Sequence, residues 1–204
     1  MIIAQTLESL PLIADVITRG GVIAFRTDTF YGLGGDPFNQ QAVQRVKALK
    51  GREENKPILI VLSDPEHLDR FIIQPSSAFK LLVEIFWPGA LTIIGRAVAD
   101  LPFEITAGSE TVGVRLPGNN QVRALVRSCG GALTAPSANL SGQTPAKSAK
   151  DVERYFADEI DLILDSGPAR TDQPSTVVDA TGERVTLVRE GAIAWIDISR
   201  ALNR

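Results

Sequence analysis

Apolar and polar positions follow two periods along this chain, and each period predicts one kind of element. Short runs rich in valine and isoleucine predict β-strands at residues 22–25, 58–62, 91–96, 112–115, 132–134, 162–164, 176–179 and 184–189. Between them, apolar residues recur three or four positions apart and predict helices at residues 7–19, 41–50, 76–86, 119–128 and 149–156. The alternation predicts an α/β fold, with helices laid on a sheet.

The second predicted helix shows which side chains should face the core. Val43, Val46 and Leu49 form its apolar stripe, so Lys50 should point elsewhere, and the glycine after Lys50 fits a C-cap. Lys50 and Arg52 stand two positions apart at this helix end. The helix dipole stabilises cations there, whereas the same pair could bind an anion such as phosphate. The sequence alone leaves both interpretations open.

Two turn-rich segments lie between the later strands. Residues 179–185, DATGERV, predict a tight hairpin turn, and residues 164–176 contain SGPARTDQPS, a hairpin signal with a long loop. No internal repeat or compositional linker interrupts the 204 residues, a length that fits one domain. We therefore expect a single domain over residues 1–204.

Composition and charge narrow the class of protein. Hydrophobic residues make up 44% and charged residues 22%, as in ordinary globular proteins. A single cysteine, Cys129, excludes an internal disulfide. The N-terminus does not resemble a signal peptide, and no window reaches the roughly 18 apolar residues of a membrane span. We expect a cytoplasmic protein that does not contact the membrane.

The chain has a local basic patch although its net charge is negative. The net charge of −3 argues against non-specific coating of nucleic acid, which requires many phosphate contacts. Nevertheless Arg45, Lys47, Lys50, Arg52 and Lys56 fall close together. An RNA-binding module, or weak RNA binding by another kind of protein, is therefore an alternative to an enzyme.

The glycine-rich stretch FRTDTFYGLGGDP, residues 25–37, could be a loop that binds phosphate, part of a substrate pocket, or a turn that only ends a strand. It is not a dinucleotide fingerprint, because Pro37 stands where the pattern needs glycine, and it is not a Walker A loop, because no GK[ST] follows. If the strand continued, Thr27, Thr29 and Tyr31 would project from one face. Such a face lines a polar pocket or is solvated, and spacing does not decide which.

The segment LTAPSANLSG places Ser137 and Asn139 directly after an apolar strand. In open α/β sheets that end binds ligands, although a simple loop that caps a turn has the same composition. His67 is the only histidine, and Cys129 lies in an apolar stripe. An enzyme built from this chain would therefore rely on positioning and electrostatics, as phosphoryl and nucleotidyl transfer do.

Seven segments in order carry a family resemblance: GGVIAFRTDTFYGLG, KGREENKP, WPGALT, TVGVRLP, APSANLSG, STVVD and LVREG. Together they resemble the YrdC-domain family over roughly residues 10–195. The most specific part is the pair of motifs KxR and SxN, present as Lys50, Arg52, Ser137 and Asn139.

The resemblance implies a twisted, mostly mixed sheet with flanking helices around a large cavity. It also implies synthesis of L-threonylcarbamoyladenylate and pyrophosphate from L-threonine, bicarbonate and ATP, with Mg²⁺ on the phosphates. The product would pass to the tRNA threonylcarbamoyl transferase machinery for t6A modification. By position, the threonine-site residues are Thr29, Tyr31, Arg115 and Ser175; the ATP-site residues are Arg52, Lys56, Thr111, Ser137 and Arg189; and Lys50, Arg52, Ser137 and Asn139 are the catalytic tetrad.

The chain departs from the family pattern in three places. Arg26 replaces the usual proline before the TDT motif, and Val61 stands where some relatives place a histidine that contacts threonine. The sequence also ends soon after LVREG, which resembles the short, single-domain members. A paralogue with the same cavity and a different substrate is therefore the nearest alternative.

Overall fold

A computed structural model describes residues 1–51, 56–169 and 171–203. The strands are β1 Ile2–Ala4, β2 Ile23–Arg26, β3 Tyr31–Gly34, β4 Ile60–Leu62, β5 Leu91–Arg96, β6 Thr111–Arg115, β7 Ala132–Thr134, β8 Leu162–Asp165, β9 Thr176–Asp179 and β10 Thr186–Arg189. The α-helices are α1 Leu10–Thr18, α2 Gln40–Leu49, α3 Ser77–Phe86, α4 Phe103–Thr106, α5 Asn120–Ser128, α6 Ala149–Phe156 and α7 Trp195–Leu202. Short 3₁₀ helices cover Pro65–Arg70 and Ala157–Glu159.

The strands form two mixed sheets. The first has the order β1-β8-β2-β3, in which β1, β8 and β2 are parallel and β3 returns antiparallel to β2. The second has the order β10-β9-β5-β6-β4-β7, in which β9 runs parallel to β5 and β6 parallel to β4. Helices flank both sheets, so the predicted mixed α/β class is confirmed, with two sheets instead of one.

A seam of backbone hydrogen bonds joins the two sheets. The N–H of Leu33 donates to the carbonyl of Pro136 at 2.9 Å, and the N–H of Ala138 donates to the carbonyl of Tyr31 at 2.8 Å. Because β3 belongs to the first sheet and residues 136–138 follow β7 of the second, the seam makes one curved wall. It brings the glycine-rich stretch beside the SxN motif.

Most predicted elements are present. The bounds of β5, β7, β9 and α6 are as predicted, and other predicted ends are displaced by a few residues. The hairpin at residues 179–185 is confirmed, since β9 and β10 pair antiparallel. The hairpin at residues 164–176 is wrong, because β8 and β9 belong to different sheets and the loop crosses between them. Short or glycine-rich elements such as β1, β3, α4 and α7 were not predicted.

Helix α2 shows how local sequence fixes an element. The Asn39 side chain accepts a backbone N–H of the first turn, which caps the helix. Val43, Val46 and Leu49 are buried as predicted. Gly51 follows the helix with φ +59°, a left-handed conformation that glycine adopts without a Cβ penalty. The helix therefore ends at the KxR motif, whose first residue is Lys50.

Candidate functional site

A cavity of about 600 Å³ is lined by residues of both sheets, a size typical of small-molecule sites. Its polar lining comes from the β2–β3 turn, from β5 and β6, from the segment after β7, and from the chain around β9 and β10. The polar and charged lining residues are Thr27, Thr29, Tyr31, Thr92, Arg115, Ser137, Asp172, Ser175 and Arg189.

The β2–β3 turn contributes a wall of hydroxyl groups. β2 ends at Arg26 and the chain reverses, so Thr27, Thr29 and Tyr31 do not alternate along one continued strand. Instead the Thr27 and Thr29 hydroxyls lie 3.1 Å apart, and Thr27 donates to the Phe30 carbonyl at 2.8 Å. Both threonines are buried and both line the cavity. The turn therefore presents fixed hydroxyl groups to a ligand.

Arg115, at the end of β6, is the most deeply buried charge of the lining, with 2% of its surface exposed. Its Nη1 donates to the Thr29 hydroxyl at 3.4 Å, and its Nη2 lies 3.4 Å from Asp28 Oδ1. Burial lowers the pKa of the guanidinium, and the Asp28 carboxylate opposes that shift. A guanidinium remains charged under such shifts, so Arg115 is a buried cation facing the cavity.

Arg189 provides a second cation on the same cavity. Its Nη2 donates to the Ser175 carbonyl at 2.9 Å, and the Ser175 hydroxyl lies 2.9 Å from that of Thr92. Burial lowers the pKa of Arg189, and the positive charge of Arg115 lowers it further. Two guanidinium groups close enough to repel one another make a site that favours anions.

Lys50 is buried, with 3% of its surface exposed, although the helical stripe predicted only that it would point away from the core. Its ammonium donates to the Ser137 carbonyl at 2.5 Å, to the Asn139 carbonyl at 2.6 Å and to Asn139 Oδ1 at 3.0 Å. Its backbone carbonyl also accepts the Ser141 N–H at 3.0 Å. Lys50 therefore holds the loop of the SxN motif, and neither Lys50 nor Asn139 is among the residues that line the cavity.

The remaining predicted site residues are distributed as follows. Ser137 lines the cavity, and so does Tyr31, whose hydroxyl donates to the Gly167 carbonyl at 2.8 Å. Thr111 shares a face of β6 with the lining residue Gly113 without lining the cavity itself. Lys56 is exposed. Arg52 lies outside the described residues.

The sequence reasoning missed two polar lining residues. Thr92 is a buried hydroxyl among the apolar residues at the start of β5, and that contrast was the available signal. Asp172 lies in the loop between the sheets, where it pairs with Lys147 at 2.5 Å. Nothing in the local pattern of that loop could show which of its residues turn toward the cavity.

Arg26 and Val61, the two residues that depart from the family pattern, are not among the residues that line the cavity. Val61 is buried in β4 and packs in a core with Leu133 and Ala135. Arg26 is 6% exposed, and its Nη1 donates to the Pro168 carbonyl at 3.1 Å. Any effect of these two residues on the cavity is therefore indirect, through the segments that they contact.

The basic patch of the sequence is engaged with neighbouring groups. Arg45 Nη1 lies 2.9 Å from Asp161 Oδ2, and the Lys47 ammonium lies 5.9 Å from the centre of the Phe103 ring. Lys50 is buried, as described above. Among the described residues of the patch, Lys50 is therefore not accessible to RNA phosphates, whereas Arg45 and Lys56 are exposed.

Other chemistry-bearing groups are few. Burial raises the pKa of the Cys129 thiol to about 11, so it is protonated and weakly nucleophilic at neutral pH. Over residues 1–51, 56–169 and 171–203, no three His, Cys, Asp or Glu side chains are grouped to hold a metal ion. No helix in those ranges is long and apolar enough to cross a membrane.

Comparison with known proteins agrees with this architecture. A sequence profile of the Sua5/YciO/YrdC family, described as telomere recombination, matches residues 15–191. The chain belongs to this family. The resemblance found in the seven sequence segments is thereby confirmed.

Similar proteins include several named threonylcarbamoyl-AMP synthase. One from Thiobacillus denitrificans is 39% identical over 168 residues, which cover 82% of this chain and 89% of the relative. One from Pyrococcus abyssi is 33% identical over 93% of this chain and 56% of the relative, and one from Bacillus subtilis is 36% identical over 88% and 52%. The chain thus spans about half the length of these last two relatives.

Solved structures show the same fold. Pyrococcus abyssi Sua5 complexed with L-threonine matches with a TM-score of 0.94 and 32% identity, covering 98% of this chain and 60% of that one. Escherichia coli YciO matches with a TM-score of 0.81 and 25% identity, covering 95% and 96%. The chain therefore has the YrdC-like fold. Proteins with this fold carry different names, here Sua5 and YciO.

Proposed function

We propose that this chain is a nucleotidyltransferase that forms L-threonylcarbamoyladenylate and pyrophosphate from L-threonine, bicarbonate or carbon dioxide, and ATP. The observation that carries the proposal is that two guanidinium groups, those of Arg115 and Arg189, line one cavity of about 600 Å³ together with several hydroxyl groups. The names of the relatives and the L-threonine complex of Pyrococcus abyssi Sua5 support it.

L-threonine would bind at the buried end of this cavity. Arg115 suits the α-carboxylate, because a guanidinium binds a carboxylate through two parallel hydrogen bonds. Thr29 and Ser175 offer hydroxyl groups nearby, and Tyr31 shapes the wall between them. The neutral threonine amine then attacks carbon dioxide and forms a carbamate with release of one proton, or it attacks bicarbonate and forms the same carbamate with loss of one water.

ATP would place its phosphates against Arg189 and Ser137, with Lys56, Thr111 and Arg52 as further contacts predicted by the family resemblance. A carbamate oxygen attacks the α-phosphorus, and the bond to pyrophosphate breaks. Negative charge on the phosphate oxygens is stabilised by cations such as Arg189, each charged hydrogen bond contributing about 1.5 to 3 kcal/mol. Lys50 and Asn139 would serve this step by holding Ser137.

Mg²⁺ would enter with ATP as part of the substrate. Among the lining residues that the structure describes, Asp172 is the single carboxylate, and it is paired with Lys147. Mg²⁺ is commonly held by substrate phosphates with only one or two protein carboxylates, so this lining fits a nucleotide-borne ion better than a resident one. When bound, the ion would neutralise phosphate charge.

The product would serve t6A modification of tRNA, through the threonylcarbamoyl transferase machinery that accepts it. This role places the protein in the cytoplasm with the tRNA substrates. Weak RNA contact through residues 45–56 is compatible with it and is not needed for the adenylation step.

The test is release of pyrophosphate by the purified protein with ATP, bicarbonate and each amino acid in turn. We expect release to depend on L-threonine and to fall on the order of 100-fold in Arg189→Met, the loss typical of removing one preorganised donor. Arg96→Met, which removes an exposed arginine at the end of β5, is the control and should keep activity. Release that is independent of threonine, or that requires another amino acid, would refute the proposal in favour of a paralogue.

A further inference from the structure

Asp28 lies immediately behind Arg115, on the side away from the cavity. It belongs to the β2–β3 turn, and its side chain is 18% exposed. Its Oδ1 is 3.4 Å from Arg115 Nη2, and its Oδ2 accepts the N–H of Gly118 at 3.2 Å. Asp28 does not line the cavity. One carboxylate therefore links the glycine-rich turn of the first sheet to the end of β6 in the second.

The guanidinium of Arg115 is held by long contacts. The Thr29 hydroxyl and Asp28 Oδ1 each lie 3.4 Å from one of its terminal nitrogens. Within the described part of the chain, Arg115 Nε and Asp28 Oδ1 are buried without a hydrogen-bond partner. A guanidinium has five N–H donors, so this one retains most of its capacity to bind a carboxylate. Asp28 thus acts on it as a nearby charge more than as a hydrogen-bond acceptor.

We infer that Asp28 is a positioning residue that fixes the orientation and charge of Arg115, and thereby sets the affinity for the α-carboxylate of the amino-acid substrate. The inference rests on the proposed function. Breaking a buried ion pair from one side leaves the other charge uncompensated, and Arg115 would then reorient toward other acceptors. Asp28 does not line the cavity, so we expect its effect to be confined to ligands that Arg115 recognises.

A purely structural role for Asp28 gives a different result. If the carboxylate served only to tie Gly118 to the β2–β3 turn, its loss would loosen the cavity wall and weaken every ligand alike. If it serves Arg115, its loss weakens only ligands that carry a carboxylate. L-threoninamide, which differs from L-threonine in lacking that group, separates the two roles.

The experiment compares wild type with Asp28→Asn, which keeps an oxygen to accept the Gly118 N–H and removes the charge. Binding of L-threonine, L-threoninamide and ATP is measured by calorimetry. The preference for L-threonine over L-threoninamide should fall roughly tenfold, as when a carboxylate that orients a ligating histidine is removed. ATP affinity should not change. Asp64→Asn, which breaks the surface pair with Arg127, is the control and should leave all three affinities unchanged.

The outcomes separate this inference from the proposed function. If wild type does not bind L-threonine, the proposed function is wrong. If wild type binds and Asp28→Asn keeps the same preference, or weakens both ligands equally, the positioning role is wrong. Should Asp28→Asn not fold, Asp28→Glu replaces it, and equal weakening of the two ligands again overturns the inference.

Discussion

Lys50→Met is the substitution whose consequence follows most directly from the contacts. Lys50 lies at the end of α2, and its ammonium donates to two carbonyls and one side-chain amide oxygen of the segment 137–139 at 2.5, 2.6 and 3.0 Å. Methionine has a similar stem and no donor. The variant therefore removes the donor to the Asn139 carbonyl and to Asn139 Oδ1, while the Ser137 carbonyl still accepts the N–H of Asn139 at 3.0 Å.

The magnitude follows from the burial of these groups. Each buried acceptor left without a partner costs about 1 to 3 kcal/mol, and relaxation of the loop toward water recovers part of that loss. We expect the free energy of unfolding to fall by about 3 kcal/mol, since the acceptors lose their donor together. For a chain of 204 residues this lowers Tm by roughly 6 to 12 °C. Because Ser137 moves with the loop, ATP affinity per folded molecule should also fall.

The assay is urea unfolding, followed by ATP titration at a temperature where the variant is folded. Lys47→Met is the matched control, since it removes the same charge from α2 and its ammonium is not buried beneath the SxN loop; the cation–π contact it loses, at 5.9 Å, is worth about 0.5 kcal/mol. A loss of less than about 1 kcal/mol in Lys50→Met would refute the view that this ammonium holds the loop, since one unpaired acceptor alone costs that much.

Two further substitutions test the surroundings of the site. Gly191→Ala would place a Cβ 2.3 Å from the Pro174 carbonyl oxygen, so we expect a lower Tm in a thermal melt and weaker L-threonine binding. Gly182→Ala is the control: its Cβ would meet no atom within 4 Å, so its Tm should not change. Burial raises the pKa of Asp151, but the Ser148 hydroxyl and backbone N–H groups lower it overall from its ordinary value of 3.8. The ionised carboxylate therefore stabilises the fold above pH 3.8, and this stabilisation is lost as pH falls through the folded pKa. The difference in free energy of unfolding between wild type and Asp151→Asn should shrink below about pH 4. A difference that does not change with pH would contradict a lowered pKa for Asp151.

The elements that sequence could predict are those with a strong period. The apolar run of β5 reflects a strand whose consecutive residues are buried, and the stripe of Val43, Val46 and Leu49 reflects the buried face of α2. Both leave a direct trace in the sequence. β3 could not be found this way, because YGLG has two glycines and little intrinsic strand preference. It is a strand because β2 and residues 136–138 supply hydrogen-bond partners on both sides.

The sequence also predicted the members of the candidate site better than their contacts. Residues such as Thr29, Arg115 and Ser137 were found because they occur in motifs of the resembled family, and the structure brings all three onto one cavity. Their division of labour was not visible in sequence. Spacing could not show that Lys50 is turned inward onto the SxN loop, or that Asp28 lies behind Arg115, since both facts depend on contacts between segments distant in the chain.

The pairing of β1 with β8 has a consequence for synthesis of the protein. Ile2 lies opposite Ile163, so the first strand has no partner in its sheet until most of the chain has left the ribosome. The cavity is equally spread along the sequence, from Thr27 to Arg189. Contacts between such distant residues form slowly because a long loop must close first. A nascent chain therefore cannot complete its first sheet until β8 has emerged, and it cannot complete the lining of this cavity until β10 has emerged. The site is thus a late product of folding.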